Sequence, residues 1–245
     1  MNEYINDVDK DYEVCNKIEF LLNILSYISI AISIILCIKY NNIICTLLII
    51  IHIIYIFGDV INDIIFKTHA ENERRKTLVS NAYGIDLTEK KAIGYYNNSE
   101  TNSIKKLGFN VFESAFFTKS NSKIMLKQKT FKFIIDIIIW LIIVLISKDK
   151  NIVLCVTQCI FSSETLISYV KLLYFYNKVD SIYDKFYSLF ITNKYTARKE
   201  SQLLEYTLEY ECLKSFSHIL LSSNNFNKNN KTWTLEWERI RSKIK

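Results

Sequence analysis

The 245-residue sequence has no proline and only four glycines. Proline breaks helices, and proline and glycine together form most tight turns, so a turn-rich β fold lacks the residues that it needs. Helices can instead continue for many turns without interruption. This scarcity predicts an all-α protein with long helices.

Enzyme signatures are also missing from the sequence. There is no Walker loop, no dinucleotide-binding glycine pattern and no nucleophile-elbow serine. Of three histidines only His52 lies in a long apolar stretch, so the paired axial ligands of a membrane haem are absent. His69 near Glu71 and Glu73 is typical of a solvated helix face more than of a metal site. We therefore expect a protein that is not an enzyme and needs no cofactor and no metal.

Cysteine usage and the N-terminus exclude a secreted disulfide scaffold. Cys155 and Cys159 lie one helical turn apart in an apolar stretch, with no second cysteine pair nearby, and are expected to be small core residues. The first eleven residues carry four carboxylates before any apolar stretch, whereas a signal peptide begins with positive charge. We expect no signal peptide.

Half of the residues are hydrophobic, and they are clustered. Residues 20–38 contain no charge, and a helix of this length crosses roughly 30 Å of hydrocarbon. Residues 39–42 form a polar turn, and residues 43–66 return. The sequence predicts a transmembrane helical hairpin over residues 18–66, preceded by a short polar segment, 1–17.

Residues 43–76 are the segment around which we interpret the rest of the sequence. It begins with sixteen uncharged residues, then carries Asp59 and Asp63 on one helical face, and ends in a run of charged residues. Its only glycine is Gly58. The pattern predicts one long helix that starts in lipid and ends in water.

A second apolar pair follows, at residues 133–146 and 152–175, joined by a short polar turn. Asp136 and Glu164 interrupt it and leave uncharged runs of eleven and thirteen residues. Runs of that length suit either short spans or the buried core of a soluble bundle. We favour spans, because the first hairpin already places the chain in a bilayer. The predicted second hairpin covers residues 131–176.

The distribution of Lys and Arg predicts the topology. Residues 67–132 hold thirteen Lys and Arg against six Asp and Glu, and residues 177–245 hold twelve against eight. Positively charged segments stay on the cytoplasmic side. We therefore predict that the N-terminus, the middle segment 67–130 and the tail 177–245 are cytoplasmic, in the inner membrane of a bacterium.

Both of these larger cytoplasmic segments are predicted to be helical and to pack together. In the middle segment we expect a break at residues 84–86, a short helix near Leu87, a loop at 94–99 and a helix from Ser103. That helix has a predicted apolar face with polar residues between its members: Leu107, Val111, Phe112, Ala115 and Phe116, with Lys105, Lys106, Asn110 and Glu113 between them. In the tail we expect helices at 171–191, 199–221 and 233–244, with a polar loop at 222–231.

Two carboxylates inside the predicted spans are candidate functional groups. A charge at mid-membrane is costly and usually faces a partner or water. Glu164 lies among serine and threonine residues, which predicts a polar path formed by several copies of the chain. The alternative is internal pairing of the carboxylates with Lys132 or Lys171. The candidate path residues are Asp136, Ser163, Glu164 and Ser168.

Basic pairs in the middle segment are candidates for contacts with an anionic group. Such clusters near a membrane mostly attract lipid head groups and fix orientation. The alternative is a nucleotide or a partner protein, with a tyrosine stacked on a base. The candidate residues are Arg74, Arg75, Lys76, Tyr95, Tyr96, Lys105 and Lys106.

The segments AENERRK at 70–76, Tyr83-Gly84 and NVFE at 110–113 stand between the two hairpins. This layout resembles the four-transmembrane, pore-forming effectors associated with bacterial nucleotide-signal (CBASS-like) antiphage systems. The resemblance covers most of the chain as layout and gives no single residue a role. It implies an inner-membrane protein that is quiet until a signal triggers assembly and membrane disruption.

The leading hypothesis is therefore an oligomeric membrane effector that permeabilises the inner membrane when triggered. Its expected partners are the lipid bilayer, further copies of the chain, and a soluble defence-system protein or a nucleotide signal. One alternative is a membrane anchor or scaffold that recruits a soluble enzyme. Another is a small solute channel or transporter.

Overall fold

A computed structural model describes residues 5–38, 41–93, 95–96, 98, 100–146, 153, 157, 164–191 and 197–244. The described part is mainly helical, with short connecting segments and one two-stranded ladder, in which β1 (Ile5–Asn6) pairs antiparallel with β2 (Ala92–Ile93). This confirms the predicted all-α fold. The helices are α1 (Val8–Ile38), α2 (Asn42–Ile61), a π-helical segment (Asn62–Lys67), α3 (Thr68–Tyr83), α4 (Ile104–Ile146), α5 (Glu164–Ile191), α6 (Ala197–Ser217) and α7 (Ser223–Arg241).

The predicted long helix is confirmed as an unbroken run from α2 through the π-helical segment into α3. Asn41 caps its start by accepting bonds from the backbone N–H groups of Ile43 and Ile44 at 2.8 and 3.3 Å. Gly84 ends it in the left-handed conformation, with φ of 69°, at the predicted break. The π-helical segment was not predicted from the sequence.

α1 and α2 form the first hairpin and pack closely. A Cβ atom at Gly58 would lie 2.8 Å from Cδ2 of Leu22, so a larger residue there would require the Leu22 side chain to move. The Asn62 side chain donates to the Cys15 carbonyl at 3.4 Å. Two helical stretches of the described chain, Val8–Ser33 and Asn42–Tyr83, are long and apolar enough to cross a membrane.

The two halves of α4 have different surroundings. Its first half carries the predicted apolar face, and all five members of that face are buried, which confirms its orientation. Asn110 and Glu113, expected between them on a polar face, are buried as well. The side-chain amide of Asn110 has two hydrogen-bond partners. It accepts from the Asn98 side chain at 2.6 Å and donates to the Asn81 side chain at 2.8 Å.

The second half of α4 is apolar and exposed, and it packs along α5. Phe133 stacks on Tyr169 of α5 with ring centroids 5.1 Å apart. Trp140 donates to the Thr157 hydroxyl at 2.9 Å, so Thr157 lies beside α4. The predicted turn at 147–151 lies outside the described residues.

An aromatic core holds the remaining helices together as a helical bundle, made of α3, the first half of α4, the second half of α5, α6 and α7. Phe112 of α4 is central, with ring centroids 5.1 Å from Trp237 of α7 and 5.9 Å from Phe186 of α5. Gly108 lets α6 approach, because a Cβ atom there would lie 2.3 Å from Cγ of Leu203.

Two predicted elements were wrong. Residues 84–91 contain no helix near Leu87, whose N–H instead bonds the Ser80 hydroxyl at 3.0 Å. The predicted loop at 222–231 is helical, because Ser222 caps α7 and Phe226 packs on Phe117. Residues 8–17, in the predicted N-terminal segment, are helical and form the first turns of α1.

Candidate functional site

The most strongly built polar site is a buried ion cluster, which we call the Arg74 cluster. Its members are Tyr12 of α1, Glu71 and Arg74 of α3, and Glu211 and Lys214 of α6. The Arg74 guanidinium binds both oxygens of Glu211, at 3.2 and 2.5 Å. Its Nε atom donates to Glu71 at 2.8 Å.

The other oxygen of Glu71 completes the cluster. It accepts from the Tyr12 hydroxyl at 2.8 Å and lies 3.2 Å from Nζ of Lys214. Two carboxylates and two cations thus balance in charge. Helical spacing brings Glu71 and Arg74 together on one turn of α3, whereas the partners on α1 and α6 come from far away in the chain.

Burial and pairing act in opposite directions on these groups. Burial alone would raise the pKa of Glu71, but Lys214 and Arg74 hold it well below its usual range. Burial would lower the pKa of Arg74, but Glu211 and Glu71 hold it well above its usual range. Glu71 and Arg74 therefore stay charged at neutral pH, and the cluster holds three helices together.

The structure gives the predicted anion-binding residues mostly internal partners. Arg74 lies inside its cluster, and Tyr96 packs against the aromatic core while its ring meets Tyr95 edge to face at 4.8 Å. The remaining basic side chains bond near neighbours in the chain: Arg75 to Asn72, Lys76 to Glu73, Lys105 to Glu100 and Lys106 to Asn102. Among the described residues these contacts lie within the chain, and the anion-binding role of these residues stays a prediction.

The structure describes only some of the residues of the predicted polar path. Asp136 lies on α4, one helical turn after Phe133, and is half-buried, as is Ser168 on α5. Glu164 is the first residue of α5, and Ser163 lies outside the described residues. Within the described chain Asp136 has no ion pair, since Lys132 donates instead to the Tyr27 hydroxyl of α1 at 3.2 Å.

Sequence reasoning missed the acidic and basic members of α6. Glu211 and Lys214 are buried together with Leu203, Thr207 and Tyr210, and these positions recur at helical spacing. That spacing was the available signal, but two charged residues on an otherwise apolar face are normally assigned to solvent. The burial of Glu211 and Lys214 is explained only by their ion-pair partners on α3, which are far away in the sequence.

Glu113 is a second buried group that the sequence did not mark. It is 7% exposed, and its Oε2 atom has no hydrogen-bond partner. Burial raises its pKa from 4.5 to about 7, while Arg241 of α7 lowers it and Glu238 raises it. Since the folded form binds this proton more tightly than the unfolded form, the free energy of unfolding falls as pH rises from 4.5 to about 7.

Replacing Glu113 by glutamine is therefore expected to remove this pH dependence. Above neutral pH the variant should be more stable than the parent by at most about 3 kcal/mol, because each unit of pKa shift corresponds to about 1.4 kcal/mol. Thermal unfolding in detergent between pH 5 and 8 measures the effect. E236Q, on the exposed side of α7, is the matched control and should keep the parental slope. Identical slopes in all three proteins would contradict this account of Glu113.

A further polar surface among the described residues is a groove beside α5. An open groove of about 770 Å³ runs between α5 and α6, but its charges are matched: Lys185 pairs with Glu209 at 2.6 Å, and Lys119 pairs with Asp180 at 2.5 Å. In the part of the chain that the structure describes, no three His, Cys, Asp or Glu side chains gather as metal ligands would.

The chain was compared with protein families, with curated proteins and with solved structures, and no match was found.

Proposed function

We propose that the chain is a non-enzymatic membrane effector of bacterial antiphage defence. In this proposal it assembles into oligomers and permeabilises the inner membrane when a signal or a partner protein acts on the helical bundle. Four spans in two hairpins carry the assembly, and the bundle lies in the cytoplasm with both termini.

The observation that carries the proposal is the surface of α2. None of its 20 residues is buried. In water, exposed apolar surface costs roughly 25 cal/mol per Å², and soluble proteins rarely expose large contiguous apolar patches. Hydrocarbon dissolves such a helix without that cost. The large exposed side chains include Ile43, Leu47, Ile49, Ile50, Ile53, Ile54, Ile56 and Phe57.

The second half of α4 supports a second hairpin. Ile138, Leu141 and Leu145 are exposed there, and Leu145 has 83% of its surface free. Asp136 stands near the start of this segment, where a carboxylate can reach the membrane surface. Together with the contact between Trp140 and Thr157, this favours two further spans.

Continuous helices support a coupling between the bundle and the membrane. α3 extends α2 without a break, and α4 extends from the aromatic core into the exposed apolar segment. A movement of the bundle is therefore passed on as a shift or rotation of the spans. The layout of two hairpins around a basic middle segment, which resembles nucleotide-signal effectors, supports the defence role.

Regulated expression in bacterial cells with a membrane-potential dye tests the proposal. High expression drives assembly by mass action, so we expect loss of the potential and arrest of growth. The control variant carries Ile50→Arg and Ile54→Arg on the lipid face of α2, where each charge disfavours insertion by roughly 3 kcal/mol. Unchanged potential and growth with the unmodified chain in the membrane would contradict the proposal and favour a membrane anchor for a soluble enzyme.

A further inference from the structure

α2 carries a cysteine, a histidine and an aspartate at seven-residue spacing in a mostly apolar helix. They are Cys45, His52 and Asp59. Seven residues are close to two helical turns, so the three side chains lie on one face. His52 stands near the middle of the predicted span, and Asp59 lies about 10 Å nearer its charged end at 1.5 Å per residue.

The geometry of His52 leaves one ring nitrogen available. Its Nδ1 atom lies 3.1 Å from the backbone carbonyl of Leu48, and because a carbonyl can only accept, Nδ1 carries the proton. The Nε2 atom of the neutral ring is then an acceptor. The side chain is exposed, and among the described residues none donates to Nε2.

The polar face is not the face that packs on α1. Contact with α1 runs through Gly58 and Asn62. Gly58 and Asp59 are adjacent, so their side-chain directions differ by about 100° around the helix. The face that carries His52 and Asp59 therefore stands beside the α1 contact; His52 on it is exposed, and Asp59 is half-buried.

Asp59 is also incompletely compensated. Within the described chain its carboxylate forms no ion pair, since the nearby Lys67 pairs with Asp63 at 2.8 Å. A carboxylate and an imidazole on a membrane-facing surface are costly in hydrocarbon, and such groups normally face water or a partner. A face with two such groups in line is better explained by water than by lipid.

We infer that in the assembled protein the face of α2 with Cys45, His52 and Asp59 lines a water-filled path through the membrane, and that Asp59 makes this path prefer cations. The inference rests on the proposed permeabilising function and names the helix that forms the path. Several copies would each contribute one α2 face, and a ring of Asp59 carboxylates would stand at its cytoplasmic mouth. The Asp136 segment of α4 instead packs along α5 within one copy.

Thiol accessibility tests which face of α2 meets water. Three variants are purified and reconstituted at high protein-to-lipid ratio in vesicles of phosphatidylethanolamine and phosphatidylglycerol. One retains Cys45 as its sole cysteine, the second carries His52→Cys in a cysteine-free background, and the third carries Ile54→Cys there. Ile54 is exposed on the opposite side of α2, which makes it the matched control. Potassium leak is recorded before and after a membrane-impermeant cationic thiol reagent.

The expected result is loss of most of the leak for the Cys45 and His52→Cys proteins and no change for Ile54→Cys. In addition, Asp59→Asn should shift the reversal potential of a potassium chloride gradient towards zero. If the unmodified chain leaks but Ile54→Cys is blocked equally, or neither of the other two is blocked, the inference is overturned while the proposed function stands. If the unmodified chain does not leak, the proposed function fails and the inference fails with it.

Discussion

Replacing Arg74 by methionine is expected to destabilise the folded chain by about 3–5 kcal/mol, because removing one partner of a buried ion network leaves the others uncompensated. Glu71 and Glu211 would face each other in a site where their side chains are only 8% exposed. Lys214 alone cannot balance both. The loss should appear as a large fall in the unfolding temperature of the detergent-solubilised protein.

The neighbouring arginine provides a matched control. Arg75 is exposed and donates to Asn72 on its own helix. Arg75→Met removes the same charge and a similar volume, and we expect a change within about 0.5 kcal/mol, as for most surface substitutions. Equal losses in the two variants would show that net charge, and not the buried network, sets the stability.

Replacing Trp237 by alanine is expected to cost about 3–5 kcal/mol, the range for deletion of a large buried aromatic side chain. Trp237 is 1% exposed and meets Phe109, Phe112 and Phe116 with ring centroids 5.1 to 5.7 Å apart. It fixes α7 to the centre of the aromatic core. Its loss should free α7 before the rest of the bundle unfolds.

Limited proteolysis and thermal unfolding measure the effect of Trp237→Ala. The variant should be cut within α7 at protease concentrations that leave the parent intact. Leu235→Ala is the control, since Leu235 lies on the same helix with 71% of its surface exposed. An intact α7 in Trp237→Ala, with the parental unfolding temperature, would contradict the placement of this helix.

The long helices could be predicted because they depend on local features. The lack of proline allowed the run from α2 to α3, and Gly84 ended it where the left-handed conformation is needed. The buried face of α4 followed from helical spacing. The wrong prediction of a loop at residues 222–231 also depended on local features. Asparagine is common in residues 222–231, and composition there suggested a loop, but the Ser222 cap and the packing of Phe226 outweigh weak helix propensity.

The candidate site was much less predictable, because its contacts join distant parts of the chain. Arg74 meets Glu211 across 137 residues, and no spacing rule links them. From sequence, Arg74 was an exposed basic residue near a membrane, whereas in the fold it is the centre of a neutral buried cluster. His52 was visible as a histidine in an apolar stretch, but only the position of α1 shows that its face of α2 is left open.

Extraction from the membrane tests most directly the claim on which this account depends, namely that the hairpin of α1 and α2 lies in lipid. Membranes from expressing cells are washed with alkaline carbonate, and the protein is then released with mild detergent. The account predicts that the chain stays in the washed membrane pellet and leaves it only in detergent. A folded, monomeric chain in detergent-free buffer would contradict it.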